Sequence, residues 1–516
     1  MSIMPKTHEA GPVERPLVLD PARARRPPET PYAVVDIGSN SVRLVVYDQL
    51  GRAPFPRFNE KSLCRLGALD PSGALPAEGF AQAVEATRRF RAVAEAMGVQ
   101  RIDAIATEAV RRARNGAELV AAIGRESGLA VRILSGAEEA HFSALGVIAG
   151  FYRPSGLVGD MGGGSLEVAE VLDDRVGERW VSLPLGALPV QALLAADASG
   201  AKGRIDALLR DGLPPALTEP VFYAVGGGWR AFARVHMAAV AAAVPVAHGY
   251  AIPTATARDF AKTIWRLPEA KVAALPGLPS RRAATLPAAA LVLDRVLKRL
   301  APGRVVFSAL GLREGWMYAQ LDTPSRYLDP VVEGAQTIGL PSARVPEFAP
   351  ALVQWTDALF PGETAPDRRL RVAACALSDI AWRDDARLRA AESFRRLLQF
   401  PFIGIEHAER VFLAAVIHAR YAGAADDPAL LPAIELLPAA LRRRALILGR
   451  VMLLGYRLSG GVPEILRTAR LKIGADVVRL EVAPAARGPD SEVVADRLRL
   501  VGLAVGVRRT EIAEAA

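Results

Sequence analysis

From Tyr32 onward, apolar and polar residues alternate in short runs separated by glycine- and serine-rich turns, and the spacing sorts the first part of the chain into two similar units. In the first unit, Tyr32–Ile37 and Val42–Asp48 read as strands around the turn-forming Gly38-Ser39-Asn40-Ser41, with a third strand expected between Phe55 and Leu66. Helical spacing covers Glu78–Met97, where Phe80, Val84, Phe90 and Val93 share a face and Gly98 is the stop. Arg101–Thr107 reads as strand, Ala117–Glu126 as helix, Ala130–Leu134 as strand and Ala137–Gly150 as helix. The second unit begins with strands Gly156–Met161 and Leu166–Leu172 around Gly162-Gly163-Gly164-Ser165, and a third at Arg175–Leu183. Val221–Val225 precedes Gly226-Gly227-Gly228; Arg304–Ser308 and Leu312–Leu321 are the last strand and helix.

One offset of 124 residues relates the units: Val34 falls on Val158, Asp36 on Asp160, Gly38 on Gly162 and Ser41 on Ser165. An internal repeat of strand, turn and strand says more than any single glycine motif, because both turns need the same geometry for the same reason. Beyond about residue 323 the texture becomes helical, for example over Ala386–Gln399, His407–Tyr421 and Leu441–Leu454, and ends in β-like segments near Leu471–Val482 and Leu498–Val507. Residues 1–30 are rich in proline and carry Arg23, Arg25 and Arg26, the composition of a flexible arm. The expected organisation is therefore an α/β protein: an arm over 1–30, duplicated domains over 31–135 and 136–322, and a mainly helical domain over 323–516.

Composition excludes several classes. A chain of 516 residues exceeds one hydrophobic core, and 51% hydrophobic with 23% charged residues is an ordinary globular balance. Cys64 and Cys375 are too few for a disulfide framework, and the six histidines form no ligand-spaced pair. The most apolar run, Met237–Val246, is broken by Pro245 and falls far short of the roughly 20 residues that span a bilayer. A cytoplasmic protein with no membrane or nucleic-acid partner is expected. The net charge of +9 fits a polyanionic ligand, or simply arginine-rich surfaces.

A strand ending in aspartate before a glycine- and serine-rich turn has a specific use. Glycine lets backbone N–H groups converge on phosphate oxygens, and the adjacent carboxylate can hold Mg²⁺ opposite them. Gly38, Ser39, Asn40 and Ser41 would form one jaw of a phosphate clamp; Gly162, Gly163, Gly164 and Ser165 would form the other. Either turn alone reads as a tight hairpin; the duplicated pair reads as a clamp. Glu167 alternates away from the apolar Leu166 and Val168 and is aimed at the cleft mouth, or is a surface glutamate. Glu138 and Glu139, at a strand-to-helix junction, suit either helix capping or general-base work on water. One arginine of the segment Thr107–Asn115 could neutralise charge developing on a phosphoryl group.

These residues resemble the exopolyphosphatase/guanosine pentaphosphate phosphohydrolase (Ppx/GppA) family. The motifs that carry the resemblance run in order: Asp36-Ile-Gly-Ser-Asn-Ser-Val-Arg-Leu, Ala106-Thr-Glu-Ala-Val-Arg, Ser135-Gly-Ala-Glu-Glu-Ala, Asp160-Met-Gly-Gly-Gly-Ser-Leu-Glu, His248-Gly-Tyr and Gly311-Leu-Arg-Glu-Gly. The resemblance covers about residues 31–322 strongly. It implies two actin-like domains of the sugar-kinase and Hsp70 superfamily, and Mg²⁺-dependent release of orthophosphate from the end of inorganic polyphosphate. Guanosine pentaphosphate is the alternative substrate, with guanosine tetraphosphate a related ligand, and a non-catalytic nucleotide switch is the rival of another class. By the same resemblance Glu139 is the base with Glu138 its rival, Arg111 the active-site arginine, and Asp160, Glu167 and Asp36 the metal side; a homodimer is also implied. Two departures stand out. Leu166 replaces a threonine, with expected loss of a phosphate donor, and Leu377-Ser378-Asp379-Ile380 has serine where a metal-binding histidine would stand in a His-Asp phosphohydrolase domain.

Overall fold

A computed structural model describes residues 16–26, 29–213, 220–423, 426–483 and 492–514. Strands β1 (Tyr32–Ile37), β2 (Ser41–Tyr47), β3 (Pro56–Leu63), β4 (Arg101–Ala106) and β5 (Val131–Ile133) form one sheet in the order β3-β2-β1-β4-β5. The period-2 pattern decides what each face meets. Ala33, Val35 and Ile37 face a core completed by Phe90 of helix α1 (Ala77–Ala96) and by Leu119 and Ile123 beyond the short α2 (Glu108–Arg112), on α3 (Gly116–Ser127). Tyr32 and Val34 face the opposite way, with Val45, Tyr47 and Ile105.

Helix α4 (Gly136–Gly150) leads to the second sheet: β6 (Gly156–Met161), β7 (Leu166–Leu172), β8 (Arg175–Leu183), β9 (Val221–Val225), β10 (Tyr250–Pro253) and β11 (Arg304–Phe307). Its order, β8-β7-β6-β9-β11-β10, repeats the first sheet's winding and adds one antiparallel strand, β10, which the sequence pattern does not announce. Helices α5 (Gly227–Ala239) and α6 (Leu286–Leu300) cover one face through Trp229, Phe232, Leu291 and Leu293. On the other face, Ala140, Ala144 and Val147 of α4 pack on Val158, Tyr223 and Val306.

Helix α7 (Leu312–Ala319) crosses between the sheets. Trp316 and Met317 bury against the first sheet, Tyr318 against the second. Its crossing with α4 is so close that a Cβ on Gly315 would lie 1.7 Å from the Phe142 carbonyl oxygen, and one on Gly146 2.2 Å from that of Gly311. The last element of the second unit therefore closes the core of the first.

The C-terminal part is mainly helical, from α8 (Pro330–Gly339) onward, and ends in a mixed sheet of β12 (Ala469–Ile473), β13 (Val477–Val482) and β14 (Arg509–Glu514). Most of the segment read as β-like at Leu498–Val507 is instead the end of a helix, α9 (Glu492–Val505). Leu498 and Val501 are buried three residues apart, a helical spacing that wins over local β-propensity. Residues 1–15 and 27–28 of the expected arm lie outside the described residues. Residues 16–26 dock on α8: Leu19 is buried, the Asp20 N–H donates to Gln336 Oε1 at 2.7 Å, and Arg23 pairs with Glu333 at 2.5 Å. In Leu377-Ser378-Asp379-Ile380, Ser378 Oγ shares a hydrogen bond with the Tyr456 hydroxyl, and Asp379 is held by Arg344 at 2.9 Å and Arg420 at 3.3 Å. Among the described residues, no helix is long and apolar enough to cross a membrane.

Candidate active site between the two sheets

Both predicted jaws line one cleft between the sheets. Their turns close alike: the Gly38 N–H donates to Ser41 O and the Gly162 N–H to Ser165 O, each at 3.0 Å. The carbonyls of the turns are taken from behind. Gly67 N–H donates to Ser39 O, and Cys64 and Arg65 N–H to Asn40 O; in the second unit Ala187, Leu188 and Gly186 N–H donate to the carbonyls of Gly162, Gly163 and Gly164. With the carbonyls tied back, the N–H groups of Ser39, Asn40, Gly163 and Gly164 have no acceptor among the described residues, which makes each turn a small anion nest. The turns touch: a Cβ on Gly163 would lie 2.9 Å from Ser39 Cβ.

The carboxylates come from rows set by strand register. Asp160 on β6 stands opposite Glu167 on β7, which stands opposite Ser182 on β8. Ser182 Oγ donates to Glu167 at 2.8 Å and Ser143 Oγ of α4 to Asp160 at 2.5 Å. Glu139, one helical turn before Ser143, is 6% exposed and is held by the Arg111 guanidinium, which also donates to Leu134 O. Burial pushes the carboxyls of Glu139 and Glu167 well above the ordinary glutamate range. Arg111 pulls Glu139 back in part, while Glu139's own charge pushes Glu167 up further. Asp160 is raised too, again mainly by burial.

Glu138 does not line the cleft. It closes the capping box of α4, accepting from Ser135 N–H at 2.8 Å and Ser135 Oγ at 2.9 Å, and pairs with Arg132. Ser135 at the N-cap with glutamate three residues later is a sequence signal that separates the two glutamates. Leu166 also faces away: it is buried in the core of the second sheet, so a hydroxyl there would not reach the cleft by strand alternation. Asp36 lines the cleft but is already neutralised by Arg313 at 2.9 Å.

The same cleft holds cations that sequence reasoning missed. Register sets Arg43 beside Asp36 and Lys61 beside Arg43. Arg230 of α5 and Arg282 line the other wall, and neither they nor Arg43 and Lys61 form an ion pair among the described residues. Burial and the neighbouring Arg282, Arg281 and Arg43 depress Lys61 to about 8; burial and Arg313 lower Arg230 to about 10. Arg282 lies against the third glycine turn, where a Cβ on Gly227 would meet its Nη2 at 2.0 Å. The repeat offset would have found Arg43, which falls on Glu167; nothing in the sequence brings Lys61 or Arg282 to the same place.

The donor set suits a hard divalent cation. Glu167 is buried and Asp160 half-buried; among the described residues neither forms an ion pair, and no group of three or more His, Cys, Asp or Glu could cage a metal. Mg²⁺ is commonly held in this way, by one or two carboxylates, with water and substrate phosphate completing the shell.

Comparison with known proteins bears on this geometry. The family model of the Ppx/GppA phosphatase family matches residues 29–324, and that described as exopolyphosphatase, C-terminal, matches residues 331–510. Exopolyphosphatase 1 of Mycobacterium leprae is 30% identical over 305 residues, covering 56% of this chain and 89% of that protein. Exopolyphosphatase 1 of Mycobacterium tuberculosis (strain H37Rv) is 31% identical over 308 residues, covering 56% and 88%. A crystal structure of the Aquifex aeolicus member of the Ppx/GppA family aligns with a TM-score of 0.48 at 22% identity, over 56% of this chain and 96% of that one.

Proposed function

Since the chain belongs to the Ppx/GppA phosphatase family and is an enzyme of that class, we propose that its substrate is inorganic polyphosphate, from which it removes the terminal phosphate with Mg²⁺ as cofactor. The observation that carries this reading is the polarity of the cleft. One cleft brings together an amide nest in each turn, the cations Arg43, Lys61, Arg230 and Arg282, which form no ion pair among the described residues, and the buried carboxylates Glu139 and Glu167. A phosphate chain lying over Lys61 and Arg43 reaches the two turns with its end toward Glu139.

The residues then divide the work. The amides of Ser39, Asn40, Gly163 and Gly164 hold the non-bridging oxygens, and fixed donors of this kind stabilise charge without reorganising during the reaction. Glu139 accepts the proton of the attacking water. The water oxygen bonds to the terminal phosphorus as the bridging P–O bond breaks, and the shortened chain departs as the anion. Arg111 orients Glu139 and favours its ionised form. Mg²⁺ would be held by Asp160 and Glu167 and would neutralise charge on the phosphate oxygens.

Phosphate release from long polyphosphate, guanosine pentaphosphate and ATP, each with Mg²⁺ and with EDTA, tests the reading. The expected result is fastest release from polyphosphate, lost with EDTA. Release from guanosine pentaphosphate alone would move the assignment to that substrate, and release undiminished by EDTA would remove the cation.

A further inference from the structure

A buried carboxylate stands between the two turns and takes no part in the mechanism above. Glu108, the first residue of α2, is 8% exposed. Its Oε2 accepts from Ser39 Oγ of the first turn at 3.4 Å. A Cβ built on Gly164 of the second turn would lie only 1.9 Å from the same oxygen, so Oε2 rests directly on that turn. The other oxygen accepts from Arg112 Nη1 at 2.6 Å, and the Arg112 side chain is 61% exposed. Glu108 is thus a carboxylate of the chain itself, seated against both turns, whose own N–H groups have no acceptor among the described residues.

We propose that Glu108 sets the affinity of the phosphate cradle for every phosphate it seats. Its carboxylate occupies the junction of the turns as a phosphate oxygen would, and it must swing out toward Arg112 and solvent before a phosphoryl group can seat. The proposal rests on the phosphate reading of the cleft. Every incoming anion meets the same repulsion, but a lone orthophosphate has only the cradle contacts to set against it. A chain that also reaches Arg43 and Lys61 gains contacts beyond the cradle and displaces the carboxylate. Glu108 therefore sets a threshold that substrate passes and orthophosphate product does not, which keeps the product from holding the site.

Calorimetric titration of the full-length protein with orthophosphate and with tripolyphosphate tests this. Removing a charge at contact distance from a bound anion is expected to tighten orthophosphate binding about tenfold or more in Glu108→Gln and in the shorter Glu108→Ser. Arg112→Ala alone weakens binding, because Glu108 loses its counter-charge and its way out; added to Glu108→Gln it has no further effect. Binding no tighter than wild type in both folded Glu108 variants overturns the proposal, as does a loss from Arg112→Ala that persists in the Glu108→Gln background, which would make Arg112 a direct phosphate ligand. Wild-type protein that binds neither anion would instead sink the phosphate reading together with everything built on it.

Discussion

The two turns share a backbone and differ in charge. In each unit the aspartate near the end of the first strand faces a charged residue on the second, Asp36 opposite Arg43 and Asp160 opposite Glu167, and the repeat offset that superposes the aspartates superposes Arg43 on Glu167. One geometry therefore carries a cation on one wall and a carboxylate on the other. On the proposed reading Arg43, with Lys61 beside it, meets the phosphate chain, while Glu167, with Glu139 near it, meets water and a hard cation. Duplication would then supply two like turns, and a single reversed charge would give them different tasks.

Making the walls alike should have the largest effect. Arg43→Glu places a second carboxylate beside Asp36, and reversing a charge within about 4 Å of a phosphate is expected to lower kcat/KM for polyphosphate by about 10³-fold or more. Steady-state kinetics checks it; a loss below tenfold would mean that Arg43 does not face the chain.

A milder change sharpens the same contrast. Lys61→Ala should raise KM about tenfold with kcat little moved, and the effect should shrink between low and high salt as screening takes over. Equal losses in kcat and KM at every salt concentration would instead point to a disturbed fold.

The carboxylate wall has a pH signature. In the proposed mechanism Glu139 acts ionised, and burial raises its pKa, so the acid limb of kcat/KM should lie well above the ordinary glutamate value of 4.5. Arg111 lowers that pKa. Arg111→Ala should therefore move the limb further up, costing more activity at pH 6 than at pH 8. An unmoved limb would separate Arg111 from the base.

The smallest effect is on stability. The folded protein holds the proton of Glu167 more tightly than the unfolded chain does, so this group's stability contribution is lost as pH rises from about 4.5 through the raised native value. Without ligand, Glu167→Gln should raise Tm by about 2–4 °C at pH 8 and leave it unchanged near pH 4. A lower Tm at pH 8 would show that the ionised carboxylate of Glu167 is stabilised in the fold rather than penalised by burial.

What the sequence made legible follows from what is local. The β-type runs Tyr32–Ile37 and Val42–Asp48 and the repeated turn are short-range, and they gave the hairpins, the turns that line the cleft and the repeat. Strand β10 was lost because four residues ending in Pro253 carry almost no period. Cleft residues set by sheet order were hidden as well. Lys61 reaches Arg43 only because β3 pairs with β2, Arg282 reaches Gly227 across the whole of α5 and beyond, and Glu108 reaches Gly164 only because the two units close on each other. The choice between Glu138 and Glu139, by contrast, was open to a capping argument from Ser135 alone.

The central claim is that Glu139 activates water at the meeting point of two phosphate grips. It is tested most directly by measuring polyphosphate binding and phosphate release side by side in Glu139→Gln. The account predicts binding close to wild type and release slowed about 10²-fold or more, the usual worth of a general base. Near-normal release from a folded variant that still binds the chain would contradict it.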